Sequence, residues 1–301
     1  GFIGKWLIGS LLNINNNFKF NLKIDIISRN SKRFEKNYPF LKKEKCINLI
    51  NINLSKVSLE TKKRYDYFFH LANDSNSKYY SDLNFQLYNN LQITRNIIRF
   101  CENNVNKKIF FCSSGAADNI LNIKKGLNFD NSYGIAKLFS EQMFLENKKI
   151  SKKIVIGRLF TFCGPLMPLK THFAFNNFLN DVLEKNNIRL EGSGETIRSY
   201  MYASILTVCI LNLIFGKKYS HNIYDIGSTK KISILNLAKK IVLASKSSNK
   251  IIIKNKIKKE LKDIYLPKKN ICRLLKLDLK ITLDEAIKKS LKYYKNLPKV
   301  L

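Results

Sequence analysis

Three short apolar runs do most to limit the folds open to this chain. Residues 66–72 (DYFFHLA), 108–112 (KIFFC) and 153–160 (KIVIGRLF) are almost continuously apolar. Strict alternation would suit strands with one wet face, whereas unbroken runs suit parallel strands covered on both faces. The first two runs flank a helical pattern over 82–103, with Leu83, Leu87, Leu91, Ile97 and Ile98 apolar. A second such pattern, from Ser132 to about residue 149, precedes the third run. Strands alternating with helices at this spacing imply an α/β fold with a Rossmann-like, doubly wound parallel sheet.

The rest of the chain fits that frame. Gly1-Phe2-Ile3-Gly4 opens a helical pattern through Trp6, Leu7, Ile8, Leu11 and Leu12, and glycines at a helix start let backbone approach a phosphate closely. Residues 22–28 and 45–54 read as strands. After Gly164-Pro165 the pattern changes: helices are expected over 172–183, 204–215, 232–243 and 283–294, with Thr282 or Asp284 capping the last. Residues 189–194 read as a strand and turn, 222–226 as a short strand, and lysine-rich 245–263 as solvated strand and loop. The expected domains are a nucleotide-binding domain over 1–165, to which 195–228 returns, and a smaller α/β substrate lobe from 166–194 and 229–301.

Composition narrows the function classes. The net charge is +32, from 54 Lys and Arg against 22 Asp and Glu. The lysines run along the whole chain among many Asn and Ile, a bias that AT-rich codons would produce. It reads as solvated lysine faces; no recognition module points to specific nucleic-acid binding, although a positive field would attract anionic substrates. The longest apolar run, 205–215, is too short to span a bilayer. Six scattered cysteines (46, 101, 112, 163, 209, 272) without Cys-x-x-Cys read as free thiols in a reducing cytoplasm. Histidines 70, 172 and 221 form no metal-ligand cluster.

One stretch carries chemistry. Tyr133 and Lys137 in Ser132-Tyr133-Gly134-Ile135-Ala136-Lys137 project from one helix face. An ammonium beside a phenol favours the phenolate and lowers a pKa of about 10. Such a pair arises often by chance, so it gains meaning only beside a nucleotide-binding sheet and a polar partner for the tyrosine.

Further motifs supply both. The chain resembles the extended short-chain dehydrogenase/reductases, the NAD-dependent epimerase/dehydratase group acting on nucleotide sugars. Gly1-Phe2-Ile3-Gly4 is similar to the second half of its TGGxGFIG loop, and Phe69-His70-Leu71-Ala72 to the end of its fourth strand. Asn90-Leu91-x-x-Thr94 resembles its asparagine-bearing helix, Ser113-Ser114-Gly115-Ala116 its serine segment, and YGIAK its Tyr-x-x-x-Lys. Arg158-Leu159-Phe160 with Gly164-Pro165, Arg198-Ser199-Tyr200-Met201-Tyr202, Tyr224-Asp225-Ile226-Gly227-Ser228 and Tyr265-Leu266-Pro267 follow in the family's order. Departures are equally legible. The family's first strand and first fingerprint glycine are absent from this sequence, which reads as a product missing its start or a fragment. Asp118-Asn119 replace the usual Tyr-Gly, the Ser114-to-Tyr133 loop is short, and Thr161 and Ile205 stand where Asn and Asp are usual.

The resemblance implies hydride transfer between a sugar carbon and a nicotinamide. Tyr133 would be the acid/base, Lys137 its tuner, and Ser114 a hydrogen-bond partner of the reacting oxygen. It implies cofactor contacts from Gly1, Phe2, Ile3, Gly4, Arg29, Leu71, Ala72, Asn90, Tyr133 and Lys137, and substrate contacts from Ser114, His172 and Arg198. The cofactor is NAD or NADP. Arg29, after the second family strand, leans to NADP, because arginine accommodates a 2′-phosphate while Asp25 sits inside the strand. Gly115-Ala116 occupy the place of the acidic pair that sugar 4,6-dehydratases carry, leaving epimerisation or keto-sugar reduction of a nucleoside-diphosphate sugar. The alternatives are a non-catalytic nucleotide-sugar-binding remnant and a 4,6-dehydratase. The resemblance further implies surface-polysaccharide precursor synthesis in the cytoplasm, and a homodimer packed through the 82–103 and Tyr133 helices.

Overall fold

The computed structural model describes residues 1–73, 82–121, 131–170, 173–216, 221–254 and 263–296, the side chains of residues 42 and 119–121 excepted. It divides into two compact units: Gly1 with Ile3–Ile156, and Phe2 with Gly157–Leu301.

In the first unit, helix α1 (Phe2–Phe18) leads to β1 (Ile24–Ser28), α2 (Ser31–Asn37), a 3-10 turn (Pro39–Lys43), β2 (Ile47–Asn51) and β3 (Tyr65–His70). Then come α3 (Leu83–Asn104), β4 (Val105–Ser114), α4 (Gly115–Leu121), α5 (Ser132–Leu145) and the start of β5 (Ile154–Leu159). The division between the units falls inside β5. β1 pairs in parallel with β2, Ile26 opposite Leu49. β3 pairs in parallel with β4, Phe69 opposite Phe110, and β4 has β5 on its other side. The parallel strands of this unit therefore form two pieces, β1–β2 and β3–β4–β5, and no described strand joins them. Burial follows that arrangement. All six residues of β5 are buried, and Ile109, Phe110 and Phe111 of β4 are at most 1% exposed. The β1 residues are all only half-buried.

The apolar runs form the expected strands, and β4 extends three residues beyond its run at the N-terminal end. α2, the 3-10 turn and α4 were not legible. Each is seven residues or fewer, below the two turns over which a 3.6-residue period can be read. α2 starts because Asn30 accepts a hydrogen bond from Arg33 N.

The second unit continues with β6 (Phe162–Cys163), α6 (Ala174–Leu183), β7 (Ile188–Leu190), β8 (Ile197–Arg198), β9 (Met201–Tyr202) and α7 (Ala203–Phe215). β10 (Ile223–Ile226), β11 (Ile232–Ser233), α8 (Ile234–Ser245), β12 (Ile251–Ile253), α9 (Ile271–Leu274) and α10 (Leu283–Lys295) complete it. β10 is a neighbour of β5. Short pairs support the remainder: β6 with β9, β7 with β12, and antiparallel β8 with β11. The helix expected from residue 232 begins at Ile234, because Ile232 and Ser233 pair with β8 and Ser233 then caps α8 through Asn236 N. At Gly164 the backbone has φ 146° and a Cβ would come within 3.1 Å of the Ala203 side chain, so the Gly164-Pro165 bend needs glycine. α10 carries a complete capping box between Thr282 and Glu285. Among the described residues, no helix is long and apolar enough to cross a membrane.

Candidate active site around Tyr133 and Lys137

Helix α5 is built to start at one place. The Asn131 side chain accepts from Gly134 N at 3.1 Å and its amide donates to Ala116 O at 3.4 Å, which ties the helix start to the segment after β4. A Cβ on Gly134 would meet Ala116 O at 2.6 Å, so this glycine permits the approach. Ser114 ends β4, and its Oγ accepts from Ala116 N at 3.2 Å, turning the strand into α4. The serine segment and the Tyr133 end of α5 thus lie together.

Lys137 sits one turn below Tyr133 and is 2% exposed. Its Nζ donates to Cys112 O at 2.7 Å and lies 4.9 Å from the Phe111 ring centre and 5.9 Å from the Tyr133 ring centre. Burial pushes the ammonium pKa down to about 8, with the charges of Cys112 and Glu141 opposing that fall. Lys137 is therefore a cation at neutral pH, close enough to the Tyr133 ring for a cation–π contact. An ammonium has three donors, and among the described residues Cys112 O is the acceptor this one meets. Such a donor set fits the hydroxyls of a ribose.

Glu141, two turns below Tyr133, is fully buried and accepts from Ser113 Oγ at 2.5 Å. The sequence reading did not single it out. Its signal was the spacing itself, since positions 133, 137 and 141 share one face. His70 closes β3 with its ring 5.2 Å from that of Phe111. It is 3% exposed, and its Nδ1 has no partner among the described residues. Burial, and secondarily the Lys137 charge, pushes its pKa down to about 3, so it is neutral. A neutral imidazole costs less to keep beside the buried cation than a charged one would.

The other expected contacts fall in three groups. Gly1 is the N-cap of α1, which Phe2, Ile3 and Gly4 begin; a Cβ on Gly4 would lie 3.7 Å from the Leu71 side chain, and Leu71 and Ala72 directly follow β3. Arg29 is exposed just after β1, while the Asp25 carboxylate accepts from Tyr65 Oη at 2.6 Å, Lys63 Nζ at 3.0 Å and Asn48 Nδ2 at 3.1 Å. Asn90 is buried in α3, where its amide donates to Gln86 Oε1 and its carbonyl accepts from Thr94 Oγ1. Thr94 Oγ1 also lies 3.0 Å from Ser140 Oγ on α5.

In the second unit, Arg198 Nη2 lies 2.6 Å from Asp263 Oδ2, and Nη1 donates to the carbonyls of Ile197 and Asp263. Its guanidinium carbon is 5.7 Å from the Tyr265 ring centre. His172 lies outside the described residues.

A parallel strand set covered by helices in this order defines a protein of the Rossmann-like α/β class. The sequence matches the model of the NAD dependent epimerase/dehydratase family over residues 1–227, and the chain belongs to that family. Among curated proteins it is similar to dTDP-D-glucose 4,6-dehydratase of Dictyostelium discoideum, 27% identical over 172 residues, or 51% of this chain and 39% of that protein. The match thus spans about two fifths of that relative's length. Among solved structures it is similar to UDP-glucuronic acid 4-epimerase of Bacillus cereus in complex with UDP-glucuronic acid and NAD. The TM-score is 0.76 at 21% identity, covering 99% of this chain and 97% of that one. UDP-glucose 4-epimerase of Thermotoga maritima with UDP-glucose gives a TM-score of 0.77 at 19% identity, covering 98% and 96%. At these identities the structural likeness establishes the fold.

Proposed function

We propose that the chain is an NAD(P)-dependent nucleotide-sugar epimerase or keto-sugar reductase, with Ser114, Tyr133 and Lys137 as its catalytic group. The observation that carries this reading is the buried Lys137 ammonium, 5.9 Å from the Tyr133 ring centre and held by the Cys112 carbonyl. Tyr133 takes the proton from a sugar hydroxyl, or returns it in the reverse direction. Lys137 stabilises the phenolate through its charge and has donors left for a ribose hydroxyl. Ser114 Oγ, at the strand end, holds the reacting oxygen. The nicotinamide, when bound, supplies the hydride acceptor and donor. Gly1, Phe2, Ile3, Gly4, Leu71, Ala72 and Asn90 belong to the proposed cofactor side. Replacing Tyr133 by Phe should cut turnover of a nucleoside-diphosphate hexose about 10²–10⁴-fold while cofactor binding persists. Unchanged turnover would sink the reading, and absent cofactor binding in the unsubstituted chain would favour the non-catalytic remnant.

The cofactor lean is to NADP. It rests on Arg29 being exposed after β1 while Asp25 is committed to Tyr65, Lys63 and Asn48. Fluorescence titration with both cofactors tests it, and tighter NAD binding defeats it. Arg198 is the proposed diphosphate contact. Its ion pair with the 63%-exposed Asp263 is worth only about 0.2–1 kcal/mol, so an incoming diphosphate can displace it. A dehydratase reading draws support from the 27%-identical relative. Against it, Gly115 and Ala116 supply no carboxylate directly after Ser114. Mass spectrometry of the product separates the two, because dehydration removes one water. A homodimer through α3 and α5 is proposed from their exposed Tyr88 (74%) and Phe139 (53%).

A further inference from the structure

Helix α7 is almost wholly apolar, and Cys209 lies at its centre with no exposure. The short helix α9 brings a second cysteine to it. Ile271, 1% exposed, anchors α9 in the core, and the Asn270 side chain accepts from Cys272 N and Arg273 N, holding that turn in place. Cys272 Sγ then lies 3.8 Å from Cys209 Sγ, across 63 residues of sequence, and Cys272 itself remains half-buried. The other four cysteines carry no such pairing among the described residues.

We propose that Cys209 and Cys272 form a redox-active dithiol, in which Cys272 is the attacking thiol and Cys209 the resolving one. The asymmetry is built in. Cys272 is half-buried and open to an incoming disulfide whereas Cys209 has no exposure, and the sulfur–sulfur hydrogen bond favours a thiolate at Cys272 against its own burial. With a low-molecular-weight disulfide such as oxidised glutathione, the Cys272 thiolate attacks one sulfur and the glutathione S–S bond breaks. A mixed disulfide forms and one glutathione thiolate leaves, taking up a proton. Cys209 then attacks Cys272 Sγ while its proton passes to the departing glutathione sulfur, and the second glutathione leaves as a thiol. Two protein thiols are oxidised and one glutathione disulfide is reduced. The sulfurs need to close from 3.8 Å to about 2.05 Å, a shift within reach of side-chain rotation and slight movement of the four-residue α9. The product pins α7 to α9.

The test is exposure of the purified full chain to oxidised glutathione, quenching with N-ethylmaleimide, and peptide mass spectrometry. The expected product is a Cys209–Cys272 disulfide without retained glutathione, reversed by dithiothreitol. Cys272→Ser, at a half-buried position, should slow modification of Cys209 by oxidised glutathione at least about ten-fold. Cys209→Ala should trap glutathione on Cys272, because the resolving thiol is gone. Far-ultraviolet circular dichroism of both variants secures the fold. The proposal is overturned if Cys272 in the unsubstituted protein keeps its glutathione while Cys209 stays free. It is equally overturned if neither thiol reacts, or if half-buried Cys46 is consumed instead.

Discussion

Lys137 is the residue whose physics is least ordinary. Its folded pKa of about 8 lies below its usual 10.5, so between those values the unfolded chain binds more protons than the folded one. Stability from this group therefore rises with pH through that window, and the cost of burying the charge is present in full below about pH 8. Lys137→Met, which keeps the volume and removes the charge, should stabilise the protein at pH 7 by on the order of 1–3 kcal/mol, less the loss at Cys112 O. The gain should shrink towards pH 10.5, as thermal melts across pH would show. A gain independent of pH would contradict a buried cation. The same variant should lose most activity, and in the unsubstituted protein turnover should fall above about pH 8 as the cation discharges, a limb absent from the variant's residual rate. Tyr133 and Lys137 were readable as a pair because both lie on one helix face. The depressed lysine pKa was not, because it depends on burial beneath β4 residues that lie more than twenty positions earlier.

At the scale of the element, α5 depends on two residues at its start. Gly134→Ala would drive a Cβ to 2.6 Å from Ala116 O, where backbone has to move. The expected cost is about 1–3 kcal/mol, with a larger fall in kcat than in cofactor affinity, since Tyr133 shifts relative to Ser114. Denaturant titration and steady-state kinetics check it, and an unchanged midpoint would contradict the close approach. Asn131→Ala should cost about 1 kcal/mol through the lost cap. Long elements were legible: α3 and α5 from their 3.6-residue period, β3 to β5 from unbroken apolar runs. Short ones were not. β8 and β11 are two residues each and form by pairing with one another, β8 also bridging to Ile264, and α4 depends on the Ser114 hydroxyl capping Ala116 N.

At the scale of the molecule, the exposed aromatic residues of α3 and α5 predict the assembly. Tyr88→Glu combined with Phe139→Glu should weaken a homodimer at least about ten-fold, roughly 1.4 kcal/mol, read by sedimentation velocity. An unaltered sedimentation coefficient across concentration would place any interface elsewhere. Family membership, the α/β class and the order of the motifs came from the sequence alone, because apolar runs, helical periods and short motifs are local properties of the chain. Tertiary structure decided what those residues meet. It set Lys137 between Phe111 and Tyr133, tied Arg198 to Asp263 across 65 positions and Cys209 to Cys272 across 63, and separated β1–β2 from β3–β4–β5. The reason is physical. Burial, pairing and the pKa changes that follow arise from side chains brought together over long sequence distances, and no local period records them.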